Sequence, residues 1–218
     1  MKVVVQASGG IESTVMLAKA IKEVGVKNVY AITFNDDSSI YKHKDSIAVK
    51  QIIVKYGLQE RFFTANIPQS DFLEYPLDSE YPDVGFIPGL KMIMNTTSLA
   101  YAQKVGASEV WIGNMIDNEY GDEKPSNLNS LIDCYNTTYS KELQNKISFV
   151  VPFNAMTKGQ VILIGRCLNV DLYNTVSCGD EKTGGMNCGV CDWCVKRKLG
   201  FRDACIKDNT VYLFKGNI

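Results

Sequence analysis

The sequence has almost no net charge: 23 basic side chains stand against 24 acidic ones, a formal −1 over 218 residues. That balance excludes a surface that coats nucleic acid indiscriminately, although it leaves room for a local basic groove. Any stretch of ~20 apolar residues is also missing, so no helical membrane span is expected. The opening MKVVVQ carries one lysine and a short apolar run that leads straight into glycines. It lacks the build of a secretion signal, and a cytoplasmic location is expected. Internal repeats and low-complexity tracts are absent. So are two common nucleotide fingerprints, a loop closed by GK[ST] and the GxGxxG turn. What remains is ordinary for a globular protein, with 45% apolar and 22% charged residues. The length suits one domain with a large core.

Within that composition a rhythm appears. Val3 to Val5 form a β-branched run, and Val15, Leu17, Ala18, Ile21 and Val24 recur at helical spacing up to a capping Gly25. Asn28 to Phe34 reads as a second strand, Lys42 to Gly57 as a second helix and Arg61 to Ile67 as a third strand. Alternation of this kind predicts βαβ units and a mostly parallel, doubly wound sheet of the Rossmann-like α/β class. Pro68 to Gly89 holds four prolines and reads as a long loop. A helix is expected over Met92 to Val105, then strand EVWIGN, a helix from about Leu131 to Lys141, strand ISFVVPF and a helix starting near Thr157. The expected organisation is one α/β domain over 1–175 and a cysteine-bearing segment over 176–218 packed on it.

Between the first strand and helix lies ASGGIES, Ala7 to Ser13. The first βα turn of such a sheet is the usual phosphate site. Gly9 and Gly10 leave backbone N–H groups open to an anion, and the helix N-terminus adds further N–H groups and partial positive charge. Ser8, Ser13 and Thr14 add hydroxyls. A tight strand-to-helix turn with an N-cap serine would use the same residues, and a carboxylate such as Glu12 is common in a helix's first turn. The loop alone leaves both readings open.

Seven cysteines are present, four of them spaced C-x9-C-x2-C-x2-C as Cys178, Cys188, Cys191 and Cys194. In a reducing compartment such clustering points to metal rather than disulfides. Four thiolates suit a closed, structural Zn²⁺ site. An iron–sulfur cluster is the rival, since it also takes four cysteines; Gly189 and the polar flanks favour zinc. Cys134, Cys167 and Cys205 stand apart and are expected to be buried small hydrophobes or spectators.

SGGIES resembles SGGxDS, the pyrophosphate loop of the N-type ATP pyrophosphatases, with Glu12 in place of the aspartate. Together with SC-x9-CGxCxxC near the C-terminus, it resembles the 7-cyano-7-deazaguanine synthase family of the queuosine pathway along nearly the whole chain. GFRDA resembles that family's AGF-type ending, and Lys42–His43 its RH pair. FIPGLKMIMNTTSLAYA resembles its P-G/N-R-N segment, where Leu90 and Lys91 replace arginine and asparagine. Tyr120 to Lys124 (YGDEK) resembles Y-P-D-C-R, and VPFNAMTKGQV resembles P-L-x-x-x-T-K-x-E-I. Glu12, Leu90, Lys91 and Glu123 mark a divergent branch.

The resemblance implies an adenine nucleotide alpha hydrolase-like fold and an ATP-dependent ligase that converts 7-carboxy-7-deazaguanine, with ammonia, to the 7-cyano base. It implies ATP binding by Ala7, Ser8, Gly9, Gly10, Ile11, Glu12, Ser13, Thr14, Val15, Met16 and Leu17. Glu12, Lys158 and Lys91 are the implied catalytic charges, with Mg²⁺ accompanying ATP and Zn²⁺ held by the four cysteines. His43, the only histidine, Tyr120, Asp122 and Lys124 are the implied substrate contacts. Asp122 is suited to the N1–H and N2–H₂ edge of a guanine-like base. A homodimer acting on small molecules, without direct nucleic-acid contact, is expected. Two other outcomes stay open: a related ligase passing the same adenylate to another amine, such as one on a protein, and an inactive nucleotide- or zinc-binding module.

Overall fold

The computed structural model describes residues 1–35, 44–68, 89–116, 124–178, 183 and 185–214, with the side chains of 44–46 excepted. Five strands, β1 (Val3–Gln6), β2 (Val29–Asn35), β3 (Phe62–Asn66), β4 (Glu109–Trp111) and β5 (Ser148–Val150), form one sheet in the order β3-β2-β1-β4-β5. Every pairing is parallel, with Val3 opposite Val29 on one side and Glu109 on the other. Central parallel strands are covered on both faces, which is why β1 reads as an unbroken valine run instead of an alternating one.

Alternation nevertheless decides which layer each valine joins. Val3 and Val5 pack with α1 (Ile11–Val24), α2 (Lys44–Lys55), α5 (Lys158–Cys167) and α6 (Asp192–Asp203). Val4 faces the other way, toward α3 (Leu90–Val105) and α4 (Pro125–Thr138). The result is a three-layer sandwich, the doubly wound α/β architecture that the strand–helix rhythm predicts. The chain leaves β3, crosses the sheet and re-enters as β4 beside β1, so the topological switch lies between β1 and β4. Ligand crevices in open α/β sheets form beyond the strand ends at such a switch.

Three elements differ from the sequence expectation. Helix α3 starts at Leu90, directly after Gly89 at φ 81°, two residues earlier than its apolar pattern suggests. Helix α4 starts at Pro125, where proline's fixed φ suits the first helical position. Its first turn is too polar to show a period, and only Leu128, Ile132 and Tyr135 are buried. Helix α6 has no apolar signature because its buried positions are Cys194, Arg197, Gly200 and Phe201. The long loop expected from Pro68 to Gly89 falls almost wholly outside the described residues. Among the described helices, none is long and apolar enough to cross a membrane.

Candidate active site

The turn after β1 is built to hold its own backbone open. The pairing of β1 with β2 runs on through Ala7, whose N–H donates to Ile32 O at 2.8 Å. Gly9 then takes φ +84°, and a Cβ there would sit 3.0 Å from both Ala48 Cβ and Val49 N of α2. Only glycine combines that φ with that closeness. Gly10 is the N-cap of α1 and is extended, at φ −76° and ψ 172°.

The turn's hydroxyls mostly serve the turn. Ser13 Oγ accepts from Ser8 N (3.2 Å) and donates to Gly10 O (3.3 Å). Thr14 Oγ1 donates to the same carbonyl at 2.7 Å. Both side chains are buried, whereas Ser8 is exposed. The amides of Ile11, Glu12 and Ser13 precede the first intrahelical bond, Thr14 N to Gly10 O. They are the unpaired N–H groups a helix offers to an anion. Ile11, Val15, Met16 and Leu17 are wholly buried in the core, so their side chains anchor the loop from behind.

Glu12 does not project alone. Lys158 Nζ, from the first turn of α5, lies 2.7 Å from Glu12 Oε1, and the two side chains are only 12% and 19% exposed. Glu12 Oε1 is buried, and among the described residues the Lys158 ammonium is the charge beside it. The direction of α5 is fixed by a capping box. Thr157 Oγ1 accepts from Gln160 N, and Gln160 Oε1 accepts from Thr157 N at 2.9 Å. Gly113, two residues beyond β4, lies against the same turn of α1, its Cβ position 3.6 Å from Glu12 Cβ, an ordinary contact distance. Carboxylate and ammonium therefore meet beside the β1–β4 switch. On the other side of the carboxylate, Glu12 Oε2, Ser8 Oγ and Val176 O surround the point where a Gly10 side chain would begin, at 3.5–3.6 Å.

The four clustered cysteines converge as well. Their Sγ atoms all lie within 4.8 Å of one another, with Cys178–Cys191 and Cys188–Cys194 both at 3.9 Å. One tetrahedral ion with ~2.3 Å bonds would hold four sulfurs ~3.8 Å apart. A multi-iron cluster would spread them further, dividing them over two irons or four. The N–H groups of Val190 and Cys191 point at Cys188 Sγ, and the N–H of Cys188 at Cys178 Sγ. Burial pushes the Cys194 thiol strongly up, and the Cys191 and Cys178 sulfurs push it the same way. A cation is what would keep such sulfurs as thiolates. The cluster fits a structural metal. Cys134, Cys167 and Cys205 are exposed, which corrects the buried alternative of the expectation and leaves them as spectators.

Comparison with known proteins identifies the family. A family model described as "Queuosine biosynthesis protein QueC" matches residues 2–205. The chain belongs to this family. A 7-cyano-7-deazaguanine synthase from Legionella pneumophila (strain Corby) is 31% identical, across 97% of this chain and 96% of its own length. The enzyme of that name from Desulfatibacillum aliphaticivorans is 32% identical, across 97% of each. Among solved structures, a predicted subunit of tRNA methyltransferase from Methanocaldococcus jannaschii is similar in fold, with a TM-score of 0.53 at 15% identity over 76% of each chain.

Set against the QueC family pattern, the remaining expected residues are more scattered. His43, Tyr120, Asp122 and Glu123 lie outside the described residues. Lys124 is exposed at the N-cap of α4, and Lys91 is exposed in the first turn of α3; neither belongs to the Glu12–Lys158 pair. Sequence reasoning missed Arg197, a fully buried arginine in α6.

Proposed function

We propose that this protein is an ATP-dependent 7-cyano-7-deazaguanine synthase, a carbon–nitrogen ligase that turns 7-carboxy-7-deazaguanine and ammonia into the nitrile. The observation that carries this reading is the match to enzymes of that name along 97% of the chain. A carboxylate resists a nucleophile because it is negative and oxide is a poor leaving group. Adenylation by ATP, releasing pyrophosphate, makes AMP the leaving group. Ammonia then displaces AMP to give the amide. A second adenylation, on the amide oxygen, allows loss of AMP and protons to leave the nitrile.

The chain's own contribution is positioning and charge. Ser8, Gly9, Gly10 and the first amides of α1 receive the departing pyrophosphate. Lys158 supplies the cation beside it, taken partly from Glu12 as negative charge builds. Glu12 Oε2 and Ser8 Oγ, which lie 3.6 Å and 3.5 Å from the Gly10 Cβ position, would offer oxygen donors to the Mg²⁺ that accompanies ATP. Cys178, Cys188, Cys191 and Cys194 would hold Zn²⁺, whose role with four sulfur ligands would be structural. His43, Tyr120, Asp122 and Lys124 are assigned to the deazaguanine acid, and Lys91 to phosphate charge. Residues 176–218 are read as a metal-held segment packed on the α/β domain, and a cytoplasmic homodimer is the expected form.

Incubation with ATP, Mg²⁺, ammonium and 7-carboxy-7-deazaguanine, followed by mass spectrometry, tests the assignment. The nitrile, AMP and pyrophosphate are expected, with two ATP consumed per nitrile. An amide attached to a protein would move the chain to the second kind of ligase. Bound ATP with no turnover of the acid would make it a binding module.

A further inference from the structure

Arg197 is an anomaly for a residue that no expected function used. Its side chain is 0% exposed, in a helix otherwise buried only through Cys194, Gly200 and Phe201. Burial works against its charge, offset in part by Tyr212 and Asp208, and more distantly by Glu12. No carboxylate takes a hydrogen bond from it among the described contacts; neutral oxygens do. Its Nη2 donates to Leu172 O at 2.6 Å, and Nη1 donates to Thr175 Oγ1 at 2.8 Å and Ser177 Oγ at 3.0 Å. Nε and Nη2 both reach Thr210 Oγ1. An ammonium could not span these directions at once, whereas the planar five-donor guanidinium can.

The oxygens it gathers belong mainly to one strap, residues 172–177. Asn187, next to Cys188, holds the same strap from a second side. Its Nδ2 donates to Thr175 O, and its Oδ1 accepts from Ser177 N. Between those two grips, Val176 N donates to Gly9 O at 3.0 Å. Val176 O lies 3.6 Å from the Cβ position of Gly10. The strap is thus clamped by the cysteine segment on one side and laid along the glycine turn on the other. Gly9 O is fixed by that bond, and the peptide plane that carries it also sets where Gly10 N–H points.

We infer that Arg197 is a positioning residue that braces the glycine turn for ATP, transmitting the geometry of the cysteine segment through residues 172–177 to Gly9 and Gly10. The inference rests on the reading of that turn as the ATP site.

The experiment pairs Arg197→Lys with the wild type, both as full-length metal-loaded protein, and measures ATP–Mg²⁺ affinity alongside amide hydrogen exchange at Val176. The lysine keeps the charge and loses the fork. Metal content is expected to stay at the wild-type level, while ATP affinity falls about tenfold and exchange at Val176 accelerates. A purely structural role would lower the melting temperature and the folded fraction while leaving both readouts of the folded fraction unchanged, and that result overturns the inference. If Arg197→Lys does not fold, Ser177→Ala removes a single, partly buried acceptor, with an expected loss of about threefold in ATP affinity. Wild-type affinity in that variant is equally fatal. Wild-type protein that binds ATP but leaves 7-carboxy-7-deazaguanine untouched would sink the proposed reaction and spare the brace. A wild type that binds no ATP would overturn both.

Discussion

The glycine turn and the cysteine segment have opposite supports. The turn is the front of a well-filled core: Ile11, Val15, Met16 and Leu17 are fully buried directly behind it. Its hydroxyl bonds only refine a shape that apolar packing already anchors. The part of the cysteine segment around the four sulfurs has almost no such core, although Phe201 and Ala204 further along join the main one. Its buried cluster consists of Cys178, Cys188 and Cys194, with Val176, Cys191 and Tyr212 packed at the edge. Where apolar area is scarce, a metal can supply the constraint, and these four sulfurs could hold one. Yet the two regions meet along α6, which carries a cysteine of the cluster, the arginine of the strap and the glycine against Lys158 on one buried face. The weaker-cored region therefore holds part of the site that the stronger-cored region presents.

The sharpest way to break this comparison is to remove the metal. Cys188→Ser takes away a fully buried ligand whose sulfur also accepts from the N–H groups of Val190 and Cys191. Metal binding free energy is folding free energy for such segments, so a loss of several kcal/mol is expected. Elemental analysis should fall from about one Zn²⁺ per chain, and calorimetry should show an early transition ahead of the main one. A brown wild-type protein containing iron and sulfide would refute the zinc assignment. A single unchanged transition in Cys188→Ser would refute the structural role.

How much of this was legible in the sequence follows the same division. The sheet was readable because a strand buried on both faces shows as a plain apolar run, as VVV does. The turn and the four cysteines were readable because glycine pairs and cysteine spacings have few structural uses. The meeting of Glu12 with Lys158 was not, since nothing local to TKGQ says which carboxylate it will face. Helix α6 was hidden for a physical reason: its inward positions are filled by a metal ligand, an arginine and a glycine, so no apolar stripe exists to detect. The exposed Cys134, Cys167 and Cys205 show the converse limit. Residue type left burial and exposure both open, and only packing decides between them.

Next in size is the charge shared between the two regions. Lys158→Ala removes the cation 2.7 Å from Glu12. Deleting one preorganised stabiliser of developing charge costs about 10²–10³ in rate. Exchange of labelled pyrophosphate into ATP, in the presence of 7-carboxy-7-deazaguanine, should slow by that order. Cys134→Ala, at an exposed position on α4, should leave the rate alone and change stability by less than about 0.5 kcal/mol. Equal rates in Lys158→Ala and wild type would leave the ion pair a structural contact only.

A smaller perturbation reaches the same lysine from the cysteine side. An added Cβ at Gly200 would fall 2.7 Å from Lys158 Cγ and 3.0 Å from Ile162 Cδ1. Something must shift, and overpacking of this kind costs about 1–3 kcal/mol. Gly200→Ala should lower the melting temperature with metal content unchanged, and pyrophosphate exchange should fall because the lysine stem is displaced. Stability lost with full exchange activity would show that α6 supports the fold and leaves Lys158's aim untouched.

The least disruptive change separates what the turn does for the fold from what it does for a ligand. Gly10 takes a φ of −76°, which any residue adopts, so alanine there meets no backbone strain. Its Cβ would lie 3.5 Å from Ser8 Oγ and 3.6 Å from both Glu12 Oε2 and Val176 O, ordinary contact distances. The helix loses little at its N-cap, so Gly10→Ala should cost no more than about 1 kcal/mol of stability. Gly9→Ala is the contrast, since φ +84° and two contacts at 3.0 Å make it strained in the unliganded protein. For ATP the two changes should converge. The methyl group of Gly10→Ala would stand in the space between the carboxylate, the serine hydroxyl and the strap, where the backbone has to approach phosphate. A fall of about tenfold in ATP affinity by titration calorimetry, with the melting temperature nearly unchanged, is the expected outcome. Unchanged affinity would place the phosphates away from Gly10 and leave the first turn of α1 to bind them alone.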